Sequence, residues 1–305
     1  IKPNLVQTLE GNAAIIHGGP FANIAQGTNS VIATKMGMSL SEYVVTEAGF
    51  GFDLGAEKFF DIKCRSAGLN PNAVVLVATV RALKYHGGKP VKELNQPDPE
   101  AVRKGVENLE KHLENIAQFG VPAVVAINKF TLDTDEELEI IRAACAAKGV
   151  KAVLSDHWGQ GGAGAEELAK HVANLADGFS GKFNPMYDLV DTVEGKIEAI
   201  ATRIYGAKAV EYSSKAKSDL KKITNLGLEG LPICVAKTQK SLSDNPDLIG
   251  RPRDFVVTVR EIEIAAGAGF LVPITGDMMR MPGLPSEPAA EHIDIDENGL
   301  ITGLF

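Results

Sequence analysis

Between residues 73 and 178 the chain alternates two hydrophobic periods, and this alternation constrains the fold more than any other feature. "AVVLVATV" (73–80) is a continuous apolar, β-branched run, which predicts a strand buried on both faces. "DPEAVRKGVENLEKHLENIAQFG" then sets Val102, Val106, Leu109, Leu113, Ile116 and Phe119 at three- and four-residue intervals, one stripe of a helix. Asp98 suits its cap, Pro99 its first turn and Gly120 the left-handed residue after its end. "VPAVVAIN" (121–128) predicts the next strand, and "DTDEELEIIRAACAAKG" a helix with acids in its first turn and Gly149 beyond its last. "VKAVLS" (150–155) predicts a third strand, and "GAEELAKHVANLADG" a third helix with Leu168, Val172 and Leu175 inward. Strand and helix alternating in this way predict an α/β fold: a parallel sheet with flanking helices, joined by right-handed crossovers. Ligands of such sheets sit beyond the carboxyl ends of the strands. Three segments converge there: "TVRALKYHGG", "NKFTLDT" and "SDHWGQGG".

From about residue 186 the texture changes. "DLVDTVEGKIEAIATRIYG" and "SKAKSDLKKITNLG" read as amphipathic helices, each ending at glycine. Strand-like runs follow at "PICVAK" (232–237), "FVVTVREIEIAAG" (255–267) and "FLVPITG" (270–276), and a terminal hairpin is expected at "EHIDIDENGLITGLF" with Asn298-Gly299 as its turn. The expected organisation is an α/β region over residues 1–185 and a smaller α+β unit over 186–305.

A formal net charge of −8 argues against a nucleic-acid surface, and the densest basic run, "KAKSDLKK", reads as a solvated helix face. Three cysteines, Cys64, Cys145 and Cys234, far apart and without a CxxC, fit a reducing cytoplasm better than a disulfide scaffold or a zinc site. No apolar stretch reaches the ~18 residues that span a bilayer, and no signal peptide is visible. The first residue is Ile1 rather than methionine, and the chain is expected to be part of something longer.

Several motifs carry less than their letters suggest. Gly159, Gly161 and Gly164 match G-x-G-x-x-G, but Ser155 to Trp158 intervene before the first glycine and no strand with an acidic end follows. A nicotinamide-dependent oxidoreductase is therefore a weaker reading than a flexible turn whose amides touch a ligand. "DIDENG" lacks the glutamate that closes a calcium loop, and the six histidines have no metal-ligand spacing, so no metal site is expected. No G-x-x-x-x-G-K-[ST] is present. "HGGPFANIAQGTNS" (17–30) is a loop dense in amides and small donors, as suited to holding an anion as to being an ordinary polar loop. "TEAGFGFDLGAEKFFDIKC" (46–64) sets Phe50 and Phe52 between glycines. With Phe130 and Trp158 at strand ends, this many rings in loops favours a flat heteroaromatic ligand, each stack contributing roughly 1–3 kcal/mol by analogy with base stacking.

The blocks "KPNLVQTLEGNAAIIHGGPFANIA", "VTEAGFGFDLGAEKFFDIKCR", "VATVRALKYHGG", "AINKF", "VAKTQKSLSDNP" and "VREIEIAAGAGFLVPITGDMMRMPGLP" closely resemble formate–tetrahydrofolate ligases, and the likeness runs through essentially all 305 residues. The resemblance is to the C-terminal part of such an enzyme. It implies an incomplete P-loop NTPase-like core and ATP-dependent ligation of formate to tetrahydrofolate through formyl phosphate, giving 10-formyltetrahydrofolate, ADP and phosphate. It implies ATP with Mg as co-substrate, activation by a monovalent cation, a cytoplasmic homotetramer, and a role in one-carbon metabolism. Phe50, Phe130, Leu154, Trp158 and Thr131 match the folate-holding positions, and Asn128 and Lys129 the nucleotide side. Asn23, Asn29, Glu47, Asp53 and Arg81 are candidates for the catalytic cleft.

The chain departs from the family pattern at Gln26 and Thr28, where histidine and cysteine are expected, at Thr131 in place of proline, and at Phe52 in place of a smaller residue. The first pair stands at the reactive end of the cleft and the second at the pterin slot. The family's phosphate-binding loop has no counterpart here, so this chain is expected to need an N-terminal segment to turn over ATP. A non-catalytic binding or scaffold role for the same fold is the alternative.

Overall fold

The structure, a computed structural model, describes residues 2–17, 25–276, 287–288, 291–297 and 301–303. An antiparallel hairpin pairs β1 (Asn4–Gln7) with β2 (Ala13–Ile16). Helix α1 (Val31–Leu40) follows, capped by the Ser30 hydroxyl, which accepts from the Ala33 amide. Residues 52–64 coil into two π-helical turns, Phe52–Ala56 and Phe59–Cys64, and run into the short α2 (Arg65–Ala67).

The predicted alternation then appears in order: β3 (Val74–Ala78), α3 (Val80–His86), α4 (Pro99–Phe119), β4 (Ala123–Asn128), α5 (Asp135–Ala147), β5 (Lys151–Ser155), the short α6 (His157–Gln160) and α7 (Glu166–Gly178). The strands form a parallel sheet of order β3-β4-β5, with Val77 opposite Ala126 and Asn128 opposite Ser155. The caps of α4 are those the sequence specifies. Asp98 accepts from the Ala101 amide, Pro99 opens the helix, and Gly120 turns left-handed at φ 72°.

Beyond α7 come α8 (Val193–Ala199), β6 (Ala209–Tyr212), α9 (Ser214–Asn225), β7 (Val256–Ala265), β8 (Phe270–Thr275), and the terminal pair β9 (Asp294–Ile295) and β10 (Ile301–Thr302). β6 and β7 are parallel, β7 and β8 antiparallel, and β9 and β10 form the antiparallel pairing expected of the terminal hairpin. Its expected turn, Asn298-Gly299, lies outside the described residues.

Three expectations need correction. β3 is not covered on both faces: Val75 and Val77 are 37% and 62% exposed, because β3 is a sheet edge and these side chains face a cavity. The helix expected after residue 186 begins only at Val193, behind the Thr192 cap, and widens into a π-helix over Ile200–Tyr205 before Gly206 ends it. "PICVAK" pairs with β8 at two isolated bridges, Ile233 with Leu271 and Ala236 with Ile274, rather than as a full strand. Its Cys234 and Ala236 amides donate to the Leu271 and Pro273 carbonyls. The return bond midway would come from residue 273, a proline with no N–H to donate.

The largest hydrophobic cluster draws Val125, Ile127 and Ile141 from one side of residue 185 and Ile197, Ile204 and Val257 from the other. Phe60 and Phe119 stack within it, 4.6 Å between ring centroids. α3 and α4 cross closely enough to require glycine. A Cβ at Gly105 would lie 1.9 Å from the Leu83 carbonyl oxygen, and one at Gly87 1.9 Å from that of Ala101. Three of the four fully buried lysines tie separate segments together. Lys196 donates to the carbonyls of Leu189, Glu229 and Leu231, Lys237 pairs with Asp53, and Lys84 pairs with Glu137.

Candidate functional site

The carboxyl ends of β4 and β5 lie side by side, and the loops leaving them are tied together. The Lys129 amide donates to the Ser155 carbonyl at 3.0 Å, and Lys129 Nζ lies 3.5 Å from Asp156 Oδ2. The Asp156 amide in turn donates to the Gly164 carbonyl, which folds the glycine-rich segment back over the strand end. A Cβ at Gly164 would meet the Asp156 carbonyl oxygen at 2.2 Å, so the last glycine of the G-x-G-x-x-G is needed for this closure. Phe130 and Trp158 project from these neighbouring loops, 48% and 64% exposed. Leu154 is half-buried at the end of β5 and Thr131 is exposed beside Phe130. Asn128 is half-buried as the last residue of β4.

Phe50 stands elsewhere on the surface, at the entrance to the π-helical segment. Its ring is half-exposed and its backbone is left-handed, φ 59°, a conformation that a residue with a side chain holds at a cost of about 1–3 kcal/mol. Packing imposes it. Ala48 bridges to Thr28, the Gly49 amide donates to the Gly27 carbonyl, and a Cβ on Gly55 would lie 2.1 Å from the Gly49 carbonyl oxygen. Phe50 lines a cavity of about 730 Å³ that runs along the open edge of β3. Its apolar wall includes Phe59, Val75, Val77, Leu83 and Val172, and Asp53, His86, His112 and Ser241 supply polar groups. Phe130, Leu154 and Trp158 are not part of that lining.

Asp53, three residues on from Phe50, lines the same cavity. Burial alone would raise its carboxyl, but the Lys237 ammonium, 2.9 Å away, outweighs this and holds it below the usual range. Lys237 also donates to the Thr238 and Ser241 carbonyls and lies over the Tyr205 ring, 5.0 Å from its centroid. His112 and His86, in the same region, are both pushed down by burial, His86 to about 4, so both are neutral near pH 7. The Gly250 amide donates to His86 Nδ1.

The other residues singled out by the sequence are more dispersed. The Asn29 side chain is engaged within the protein: Nδ2 donates to the Thr46 hydroxyl, and Oδ1 accepts from Lys63 and from the Thr34 hydroxyl. Glu47 is exposed, and so is Arg81, with one hydrogen bond of 3.5 Å to Asn95. Asn23 lies outside the described residues. Among the departures, Thr28 is buried at the bridge to Ala48, Gln26 is half-buried two residues away, and Phe52 is buried against Phe60 and Phe119. Phe52 is thus mostly a core residue, although it also touches the cavity. Sequence reasoning passed over Lys237, His112 and the buried pair Lys84–Glu137. Charged and imidazole groups inside an apolar helix stripe or beside a strand carry no signal until their partners are located.

A parallel sheet with helices on its faces and exposed rings beyond its carboxyl ends defines an α/β protein of the class that takes ligands at that rim. A family model for formate–tetrahydrofolate ligase matches residues 1–305, the full length given, and the chain belongs to that family.

Proposed function

We propose that this chain forms the folate-binding part of an ATP-dependent ligase that joins formate to N10 of tetrahydrofolate. The observation that carries the reading is the pair of half-exposed or more exposed rings, Phe130 and Trp158, on adjoining loops. They offer flat apolar faces for a reduced pterin, with Leu154 and Thr131 beside them. Phe50 enters this reading through the family resemblance; it lines the cavity along β3 and not the rim where Phe130 and Trp158 stand, and its enforced left-handed backbone is the kind of strain that functional positions hold. Asp53 is the catalytic candidate best supported by burial and charge, next to Phe50 on the cavity wall.

Formate is a poor acyl donor until one of its oxygens becomes a phosphate leaving group. An oxygen of formate attacks the γ-phosphorus of ATP and ADP departs, leaving formyl phosphate. N10 then attacks the formyl carbon, phosphate leaves with the C–O bond electrons, and N10 gives up its proton. Water must be kept out, because it would compete with N10 for the activated formyl group. Asn128 and Lys129 stand on the nucleotide side. Among the described residues no three His, Cys, Asp or Glu side chains gather to hold an ion; in this reading Mg²⁺ enters with ATP as its counter-ion. The sequence holds no G-x-x-x-x-G-K-[ST]. The same reading includes a homotetramer activated by a monovalent cation in the cytoplasm. Its three free cysteines are buried, their thiols pushed up to about 11 or 12, and no described helix is long and apolar enough to cross a membrane.

Binding titrations test the reading directly. Trp158→Ala should weaken tetrahydrofolate binding more than tenfold and leave ATP affinity within about twofold, in line with the loss of one stacked ring. An unchanged folate dissociation constant would remove the stacking role. Formate-dependent ADP release on adding the N-terminal segment tests the catalytic half, and its absence would leave a binding scaffold.

A further inference from the structure

The loop that carries Phe130 is fixed from behind by a charged pair with no access to water. Lys84, on α3, and Glu137, in the first turn of α5, have side chains 2% and 0% exposed, with Nζ 2.9 Å from Oε1. Lys84 also donates to the Gln96 carbonyl, which anchors it to the loop before α4. Glu137 Oε1 accepts from the Asp98 amide at 2.8 Å as well as from Lys84. Its other oxygen accepts from both the amide and the hydroxyl of Thr134, at 3.0 and 2.9 Å. The Thr134 hydroxyl caps α5 by accepting from the Glu137 amide, completing a capping box. One residue earlier, Asp133 closes the turn on Phe130: the Phe130 amide donates to Asp133 Oδ2, and the Asp133 amide to the Phe130 carbonyl.

The capping box alone would fix the start of α5 on any surface helix. Here the glutamate is also pinned to a cation on another helix and to the cap of α4. The turn from Phe130 to Thr134 is therefore referenced to α3 and α4 as well as to its own strand. We propose that Lys84 and Glu137 are positioning residues for the reaction: they set where the Phe130 ring stands relative to Trp158, and so set the affinity for the reduced pterin. This rests on the folate reading of Phe130 and adds to it the means by which the ring is held. Neither residue touches the ligand. Removing one partner leaves a charge unpaired in the interior, which costs far more than an exposed pair, so the loop shifts to bring water or a new partner to the survivor.

The test is a double-mutant cycle read by tetrahydrofolate binding, with quenching of the fluorescence of Trp158, the only tryptophan, as the signal. Glu137→Gln is expected to raise the dissociation constant about five- to tenfold in the Phe130-containing protein. In a Phe130→Ala background the same change should add less than twofold, because the ring it positions is gone. Lys84→Arg should retain most of the affinity and Lys84→Met should lose it. A merely structural pair would lower the unfolding midpoint and leave the cycle additive. If Phe130→Ala weakens binding and folded Glu137→Gln does not, the positioning role is overturned and the folate reading survives. If Phe130→Ala leaves binding unchanged, the folate reading of Phe130 fails, and this inference with it. Should Glu137→Gln not fold, Thr134→Ala decides, since it removes only the cap hydroxyl: a two- to threefold loss supports the role and an unchanged constant overturns it.

Discussion

At the scale of single residues, the interior holds titratable groups whose environments pull in opposite directions. Glu57 and Asp61 lie four residues apart in the π-helical segment, and both Glu57 oxygens and Asp61 Oδ2 are buried without a hydrogen-bond partner. Burial raises both carboxyls, Asp61 to about 7 and Glu57 well above its ordinary value, so the folded protein holds protons that the unfolded chain has released. Stability from these groups is therefore full at low pH and is lost as pH rises through the folded values. His86 has the opposite sign. Burial lowers it from 6.5 to about 4, so between those values the unfolded chain takes up a proton that the folded protein refuses, and acidification destabilises. Urea unfolding at pH 7 and pH 5 should separate the two. On moving to pH 5, His86→Gln should gain more stability than the parent protein, and Asp61→Asn less. The reverse order would mean that the assigned shifts are wrong in sign. None of this was legible in the sequence, where an aspartate, a glutamate and a histidine look alike whether wet or dry.

At the scale of elements, the sequence was informative wherever a structure depends on near neighbours. The caps of α4, the acidic first turn of α5, the three parallel strands, α9 and the runs that form β7 and β8 could all be read from period and punctuation, because these signals lie within a few residues of what they specify. The misreadings concern partners that are distant in sequence. β3 reads as buried on both faces because its residues are those of a central strand, and only the sheet order reveals it as an edge. "PICVAK" reads as a strand because the proline that interrupts its pairing belongs to β8. The crossing of α3 and α4 offers a direct test. Gly105→Ala removes the helix penalty of glycine, worth about 1 kcal/mol, but puts a Cβ 1.9 Å from a backbone oxygen that cannot turn aside. The clash wins, and thermal unfolding should show a net loss of about 2 kcal/mol. Gly178→Ala, at the end of α7 where an added Cβ meets nothing within 4 Å, should be neutral or slightly stabilising. Equal effects would show that the crossing can relax.

At the scale of the whole molecule, the site was legible in part. The loops after β4 and β5 could be located because strand ends are visible in sequence, and they adjoin where the Lys129 amide meets the Ser155 carbonyl. That Phe50 lines a separate cavity along β3 could not be read, since it depends on how the π-helical segment is laid against the sheet. The boundary expected near residue 185 meets a hydrophobic cluster built from both sides of it. Calorimetry should therefore give one cooperative transition for the chain, and two well-separated transitions would show that the halves melt independently. The buried lysines make such cooperativity stricter. Lys196 finds its three carbonyls on the segments around residues 189, 229 and 231, and Lys237 finds its carboxylate on the π-helical turn. Apolar side chains tolerate a neighbour that arrives a residue early or late, whereas an ammonium in a dry interior does not, since a single slipped segment strands a bare cation at a cost of several kcal/mol. These amines therefore proofread assembly, rejecting near-miss arrangements that oily contacts alone would accept.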